Sequence, residues 1–293
     1  ISKGNTFTLN NNATATRMDI NGTVTASGNI TADVTMGASG VLNLNNSNTW
    51  GDNAAKVVGT IKSGGSGGTA QGTLNINGTF TTQGAIGQGG RGLAAINLSN
   101  STFTNGFTTT FAHSVNATTI TIGTSNMQTN ATLTLSETSD GSNLIITGDI
   151  AGGGNYTAGG DIASGVLDIN SDTDVTGTIG TSGAYLAEVQ VAESMVLTAK
   201  KSIFAGNITL EQATAGTGTN ATLALNGTSG ISYNVKGGIN GGSTEGDGLI
   251  DINSGNWTFD SEIGTTNLIS GMRVENGAWA NFSNSISANE TVT

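Results

Sequence analysis

Proline and cysteine are both missing from this chain of 293 residues. Without cysteine, no disulfide staples the fold and no thiolate is available for metal or redox chemistry. With no proline and only 10% charged residues, the composition is not that of a solvated, disordered polymer. Aromatic residues are scarce as well: 8 Phe, 3 Trp and 3 Tyr cannot fill the wide core of a sandwich or barrel of this length, so the core must be narrow. Nine Lys and Arg face 20 Asp and Glu, for a net charge of −11 and a pI near 4.2. Lys200-Lys201 is the sole adjacent basic pair. Nucleic acid and anionic membrane are therefore excluded as partners, since both demand clustered cations. No apolar run approaches the roughly 18 residues of a membrane-spanning helix, so direct insertion of this segment into a bilayer is not expected. There is no initiating Met and no signal peptide at the start, and the chain reads as a piece of a longer polypeptide.

In place of charge the chain carries Thr, Asn, Ser and 46 Gly. Thr and the β-branched aliphatics suit a pleated surface, while Gly and Asn supply tight corners. No linker-like shift in composition divides the chain, which predicts one continuous body. The strongest signal within it is repetition. GTLNIN at Gly72 returns as GVLDIN at Gly165 and as GLIDIN at Gly248, at spacings of 93 and 83 residues. Ile86-Gly87, Ile179-Gly180 and Ile263-Gly264 follow in the same order. Upstream, Leu42-Asn43-Leu44, Leu133-Thr134-Leu135 and Leu223-Ala224-Leu225 correspond. SISANETVT around Ile286 resembles GNITADVT around Ile30, and Ile1 falls where Ile263 would lie. The expected division is a partial repeat over 1–36 and full or nearly full repeats over 37–127, 128–217 and 218–293.

Local periodicity is two. Thr73-Leu74-Asn75-Ile76-Asn77, Val166-Leu167-Asp168-Ile169-Asn170 and Thr119-Ile120-Thr121-Ile122 alternate apolar with polar, as strands with one buried face do. Long repeats of short strands around a thin aliphatic core predict an all-β fold, a single-stranded β-solenoid (β-helix) built from tandem repeats of about 83–93 residues. Leu74, Ile76, Leu167, Ile169, Ile250 and Ile252 are its expected core stack, and Gly87, Gly180 and Gly264 its corners. At about 20–25 residues per turn each unit would hold roughly four turns, and at about 4.8 Å per rung the rod would run roughly 60–70 Å. The Gly-rich stretches 63–68, 152–160 and 237–242 read as loops emerging from one side.

Residues able to do chemistry are few. The single His, His113, is expected as an ordinary strand residue beside Phe111. Serine and threonine abound, but no GxSxG-type turn or second His supports a nucleophile. Hydrolysis by paired carboxylates in a groove is the one enzymatic alternative, and Trp50, Trp257 and Trp279 are too scattered to form a sugar platform. The densest acidic run is Asp168, Asn170, Asp172 and Asp174. Oxygens at alternate positions resemble the opening of a calcium loop, though one strand face produces the same spacing, and a solvated strand edge is the competing reading. Asn-x-Ser/Thr triplets, including those at Asn29, Asn77, Asn116, Asn130, Asn207, Asn220, Asn226, Asn256 and Asn289, admit glycosylation or, equally, a stacked asparagine ladder inside turns. The GxGxxG-like strings lack a following helix and do not support nucleotide binding.

The run 165–210, GVLDINSDTDVTGTIGTSGAYLAEVQVAESMVLTAKKSIFAGNITL, resembles the repeats of bacterial autotransporter passenger domains, most closely those of rickettsial outer-membrane surface antigens. There a G-[VT]-L-x-[IL] strand leads to a G-x-I-G corner, an L-x-x-V-x-V strand and a polar hairpin. Segments 72–122 and 248–293 keep that order. The resemblance implies a secreted, extracellular passenger at the bacterial cell surface, acting in adhesion or as a coat, and it implies no catalytic residues and no cofactor. The resulting expectation is a non-enzymatic structural or adhesive rod meeting a host or abiotic surface. The alternative is self-association of like chains into an extracellular filament or surface layer.

Overall fold

A computed structural model describes residues 1–45, 55–65, 68–88, 90–99, 106–123, 131–137, 141–154, 163–211, 219–242 and 246–289. Its 25 strands are all short, and no helix occurs among the described residues. Strand pairing follows two parallel paths, one of 12 strands and one of 13, in which neighbours along each path are two or three elements apart in the chain. This is the pattern of a chain wound in coils, each lying on the one before. The fold is the parallel β-solenoid expected from the sequence.

Following the register residue by residue resolves the coils into three faces. On the first face one inward column runs Phe7, Val24, Leu42, Leu74, Ile96, Ile120, Ile150, Ile179, Ile203, Val235, Phe259, Phe282. The second face carries a column from Ala55 through Leu133, Leu167 and Ile208 to Ile286. The third carries one from Met18 through Ile61, Val115, Val175 and Leu225 to Val274. Between their ends the aliphatic members are buried, and all six expected core residues are fully enclosed. A coil step takes from 16 residues, Met18 to Val34, to 34, Leu133 to Leu167. Twelve rungs at about 4.8 Å give a stack of about 50–55 Å, shorter than expected because the average coil is longer.

The sequence repeat and the coil do not coincide. From Leu74 the chain visits Phe80, Ile86, Ile96, Phe111, Val115, Ile120, Leu135, Ile146 and Ile150 before Leu167, which is ten faces, or three coils and a third. Ten more faces lead from Leu167 to Ile250. The expected four turns per unit are thus corrected, and each copy of the motif lies one face further round. Leu74 is on the first face, Leu167 on the second and Ile250 on the third. Three units restore the starting face, which is why Ile30 and Ile286 share the second. Ile1 does not match Ile263. It lies beside Ile20 on the third face, its carbonyl accepting from Asn21 N at 2.8 Å, whereas Ile263 is on the second.

Corners explain the repeat at atomic level. Strands Ile30–Met36, Val115–Ile122 and Ile203–Leu210 each pass from one face to the next. In the coil above a corner the chain turns at Gly59, Gly148 or Gly237, spaced by 89 residues, with φ of 113°, 119° and 127°. A Cβ there would collide with the carbonyl oxygen of Ala32, Ala117 or Ala205 below, so only glycine lets the coils close to sheet spacing. Gly87, Gly180 and Gly264, the expected corners, have φ of 75°, 70° and 71° and press on the carbonyls of Asn116, Phe204 and Ser287.

Two sequence expectations fail here. Residues 237–242 are not a loop: Gly237 turns a corner inside strand Ser232–Gly241. Glycine marks close approach of backbones there rather than exposure. His113 sits in a bend between strands Phe107–Phe111 and Val115–Ile122 instead of within a strand. Of the other glycine stretches, Ser63 and Gly152 end strands, while 66–67 and 155–160 lie outside the described residues, as do Trp50 and Asn130.

Candidate functional site

The outward positions between the core residues are the polar surface of the solenoid, and the repeat supplies an internal comparison. The residue between the two aliphatics of the motif is Asn75 in the first copy, Asp168 in the second and Asp251 in the third.

On the first face, strands Val41–Asn45, Thr73–Asn77 and Leu93–Leu98 stack in register, placing Asn43, Asn75 and Asn97 above one another. Asn75 Nδ2 donates to Asn43 Oδ1 at 2.8 Å, and Asn97 Nδ2 donates to Asn75 Oδ1 at 2.9 Å. Asn43 in turn donates to the Thr25 hydroxyl at 3.3 Å. Beside this ladder runs a second, in which Asn77 Nδ2 donates to Asn45 Oδ1 at 2.8 Å. Asparagine ladders therefore do occur, on a strand face rather than inside turns. Where the second ladder continues, Ser99, Gly123 and Gly153 take the place of asparagine, and the loss of side chain opens a groove of about 470 Å³. Its lining is Asn75, Asn77, Asn97, Ser99, Thr121, Gly123 and Gly153, with no charged group.

On the second face the equivalent strand Val166–Ile169 bears Asp168. The Thr134 hydroxyl donates to Asp168 Oδ2 at 3.0 Å, and Asn170 Nδ2 to the same oxygen at 2.9 Å. Burial nevertheless pushes the Asp168 carboxyl above its ordinary value of 3.8, outweighing both bonds. One and two coils on, Glu188 accepts from Thr209 Oγ1 at 2.8 Å, and Glu211 is raised by burial and then by Asp168, Glu188 and Glu193. No cation among the described residues forms an ion pair with Asp168, Glu188 or Glu211.

The four calcium candidates are held in three separate contacts. Asp168 and Asn170 bond to each other, Asp172 Oδ1 accepts from Val196 N at 2.8 Å, and Asp174 pairs with Lys200 at 3.3 Å. The chain turns from the second face to the third between Asp168 and Asp174. Among the described residues no group of three His, Asp or Glu could hold a metal ion. On the third face Asp251 is gripped by Arg273, with Nε at 3.1 Å and Nη2 at 2.6 Å from its two oxygens. Trp257 is buried and stacks on Tyr233 at 4.8 Å, whereas Trp279 is exposed.

No family model, curated protein or solved structure matches the chain. No helix among the described residues is long and apolar enough to cross a membrane.

Proposed function

We propose that this chain is a non-enzymatic extracellular rod of a larger bacterial surface protein, structural and adhesive in role. The observation that carries the reading is the continuity of its three inward columns, apolar at every rung but that of Thr109, which makes the stack one stiff body with a long polar surface and a small cross-section. Such a body presents polar side chains rung after rung, and many weak contacts at regular spacing sum to firm attachment. The net charge of −11 keeps neighbouring rods apart in solution. Resemblance to autotransporter passenger repeats supports placement at the cell surface. The test is retention under flow of beads coated with the purified chain on host-cell and abiotic surfaces. Retention well above that of bare beads is expected, and detachment at the same shear as bare beads would overturn the reading.

Self-association end to end is the second reading. It is favoured by one column having Phe7, half exposed, at one end and Phe282 at the other. Electron microscopy of the purified chain separates the two, since ordered fibres support assembly and dispersed short rods the adhesive monomer.

A further inference from the structure

The groove on the first face has a chemistry of its own. A carboxamide carries two N–H donors and an oxygen with two lone pairs. In the ladder Asn75 spends one N–H on Asn43 and one lone pair on Asn97, so one of each is left to face outward. Asn77 and Asn97 likewise each spend one donor within the ladders. The amides are held at fixed spacing by their neighbours, so their remaining donors and acceptors are ordered before any ligand arrives, which lowers the entropy cost of binding. The row below steps down in size, from Asn77 through Ser99 to Gly123 and Gly153, so the floor deepens along the axis of the rod.

We infer that this groove binds an uncharged glycan chain laid along the solenoid axis. The inference deepens the adhesive reading above and rests on it, by naming the class of surface polymer that one face grips. Sugar hydroxyls both donate and accept, which matches paired amide groups and the hydroxyls of Ser99 and Thr121 better than any single-signed ligand. An anionic polymer finds no cation in the lining and meets a strongly negative chain. An extended peptide would need a free sheet edge, whereas the backbone groups of this face are already committed to the coils above and below. The rungs repeat at about 4.8 Å, so a polymer along the axis meets a fresh pair of polar groups at each coil.

The experiment is calorimetric titration of the whole purified chain with soluble xylan, mannan and β-glucan fragments, and with alginate and heparin as anionic comparators. At least one uncharged glycan is expected to bind, with an affinity unchanged across a tenfold rise in salt. Ser99→Trp, which fills the groove from an outward position, is expected to weaken binding about tenfold or more. Asn97→Ala, which removes one amide, should weaken it about fivefold, as one lost hydrogen bond does. Thr110→Trp, outward on the second face, should leave it unchanged, with circular dichroism showing each variant folded. Failure of every uncharged glycan to bind, preference for alginate or heparin, or equal loss in Thr110→Trp would overturn the inference. If coated beads hold to surfaces while no uncharged glycan binds, the groove assignment falls and the adhesive reading stands. If glycan binds and beads do not hold, the adhesive reading falls alone.

Discussion

Asn75 and Asp168 occupy the same place in two copies of one repeat, and the molecule treats them differently. Asn75 sits inside a chain of amide-to-amide bonds in which every group is neutral. Asp168, on the next face, collects a hydroxyl and an amide and still carries a carboxyl raised by burial. The third copy solves the same problem with a cation, as Arg273 closes on both oxygens of Asp251. The core beneath is common to all three: Leu74, Leu167 and Ile250 are fully buried. The lesson is that the inward pattern specifies the solenoid, while the outward residue is free to vary so long as its polarity is met locally.

The sharpest way to test that separation is to alter the shared part. Leu74→Ala, Leu167→Ala and Ile250→Ala are each expected to cost about 2–5 kcal/mol, with similar values in the three copies, measured by denaturant unfolding. A spread as wide as that among the outward substitutions would break the comparison. Corners come next. Gly148→Ala forces a Cβ onto the Ala117 carbonyl and should cost about 3 kcal/mol, whereas Gly141→Ala, with φ of 68° and open space around it, should cost about 1 kcal/mol.

Outward substitutions should be smaller and should differ by copy. Asn75→Ala removes two ladder bonds, an expected loss of about 1–2 kcal/mol. Asp168→Asn should instead raise the melting temperature at neutral pH. A carboxyl whose pKa is raised by folding weakens the native state while ionised, so the wild type gains stability as pH falls through that raised value towards 3.8, and the variant should lose this gain. Asp33 runs the opposite way. The backbone N–H of Thr60, then its hydroxyl, hold its carboxyl below 3.8, so its contribution is present above that value and disappears as pH falls through the lowered folded one. Melting curves of wild type, Asp168→Asn and Asp33→Asn from acid to neutral pH would show the two slopes. Arg273→Met, which leaves Asp251 without its cation, should lower the melting temperature at neutral pH.

Much of the architecture was legible because it is written in the inward residues. Alternation in Thr73–Asn77 and its sister segments identified the strands, and the recurrence of Ile-Gly marked corners at Gly87, Gly180 and Gly264. The length of a coil was not legible, since connections between faces vary and 83–93 residues divide as readily into four turns as into three and a third. Glycine misled at 237–242 because a run of small residues looks alike whether it is exposed or pressed against a neighbouring coil. The alternate spacing of Asp168, Asn170, Asp172 and Asp174 gave no sign of the corner after Ile169, which sets Asp168 and Asp174 on successive faces. The groove lined by Ser99, Gly123 and Gly153 had no linear signature at all. It arises from residues one coil apart, and only the register brings them together.

The mismatch of ten faces to three has a consequence for how such a rod can change length. Gaining or losing a single unit by recombination would leave every inward column intact, yet it would swing all downstream surface through a third of a revolution. A patch that formerly lay in line with Asn75 would then look out in another direction. Only changes of three units at a time preserve the bearing of every patch, so selection on where the rod points acts on a coarser step than selection on how far it reaches.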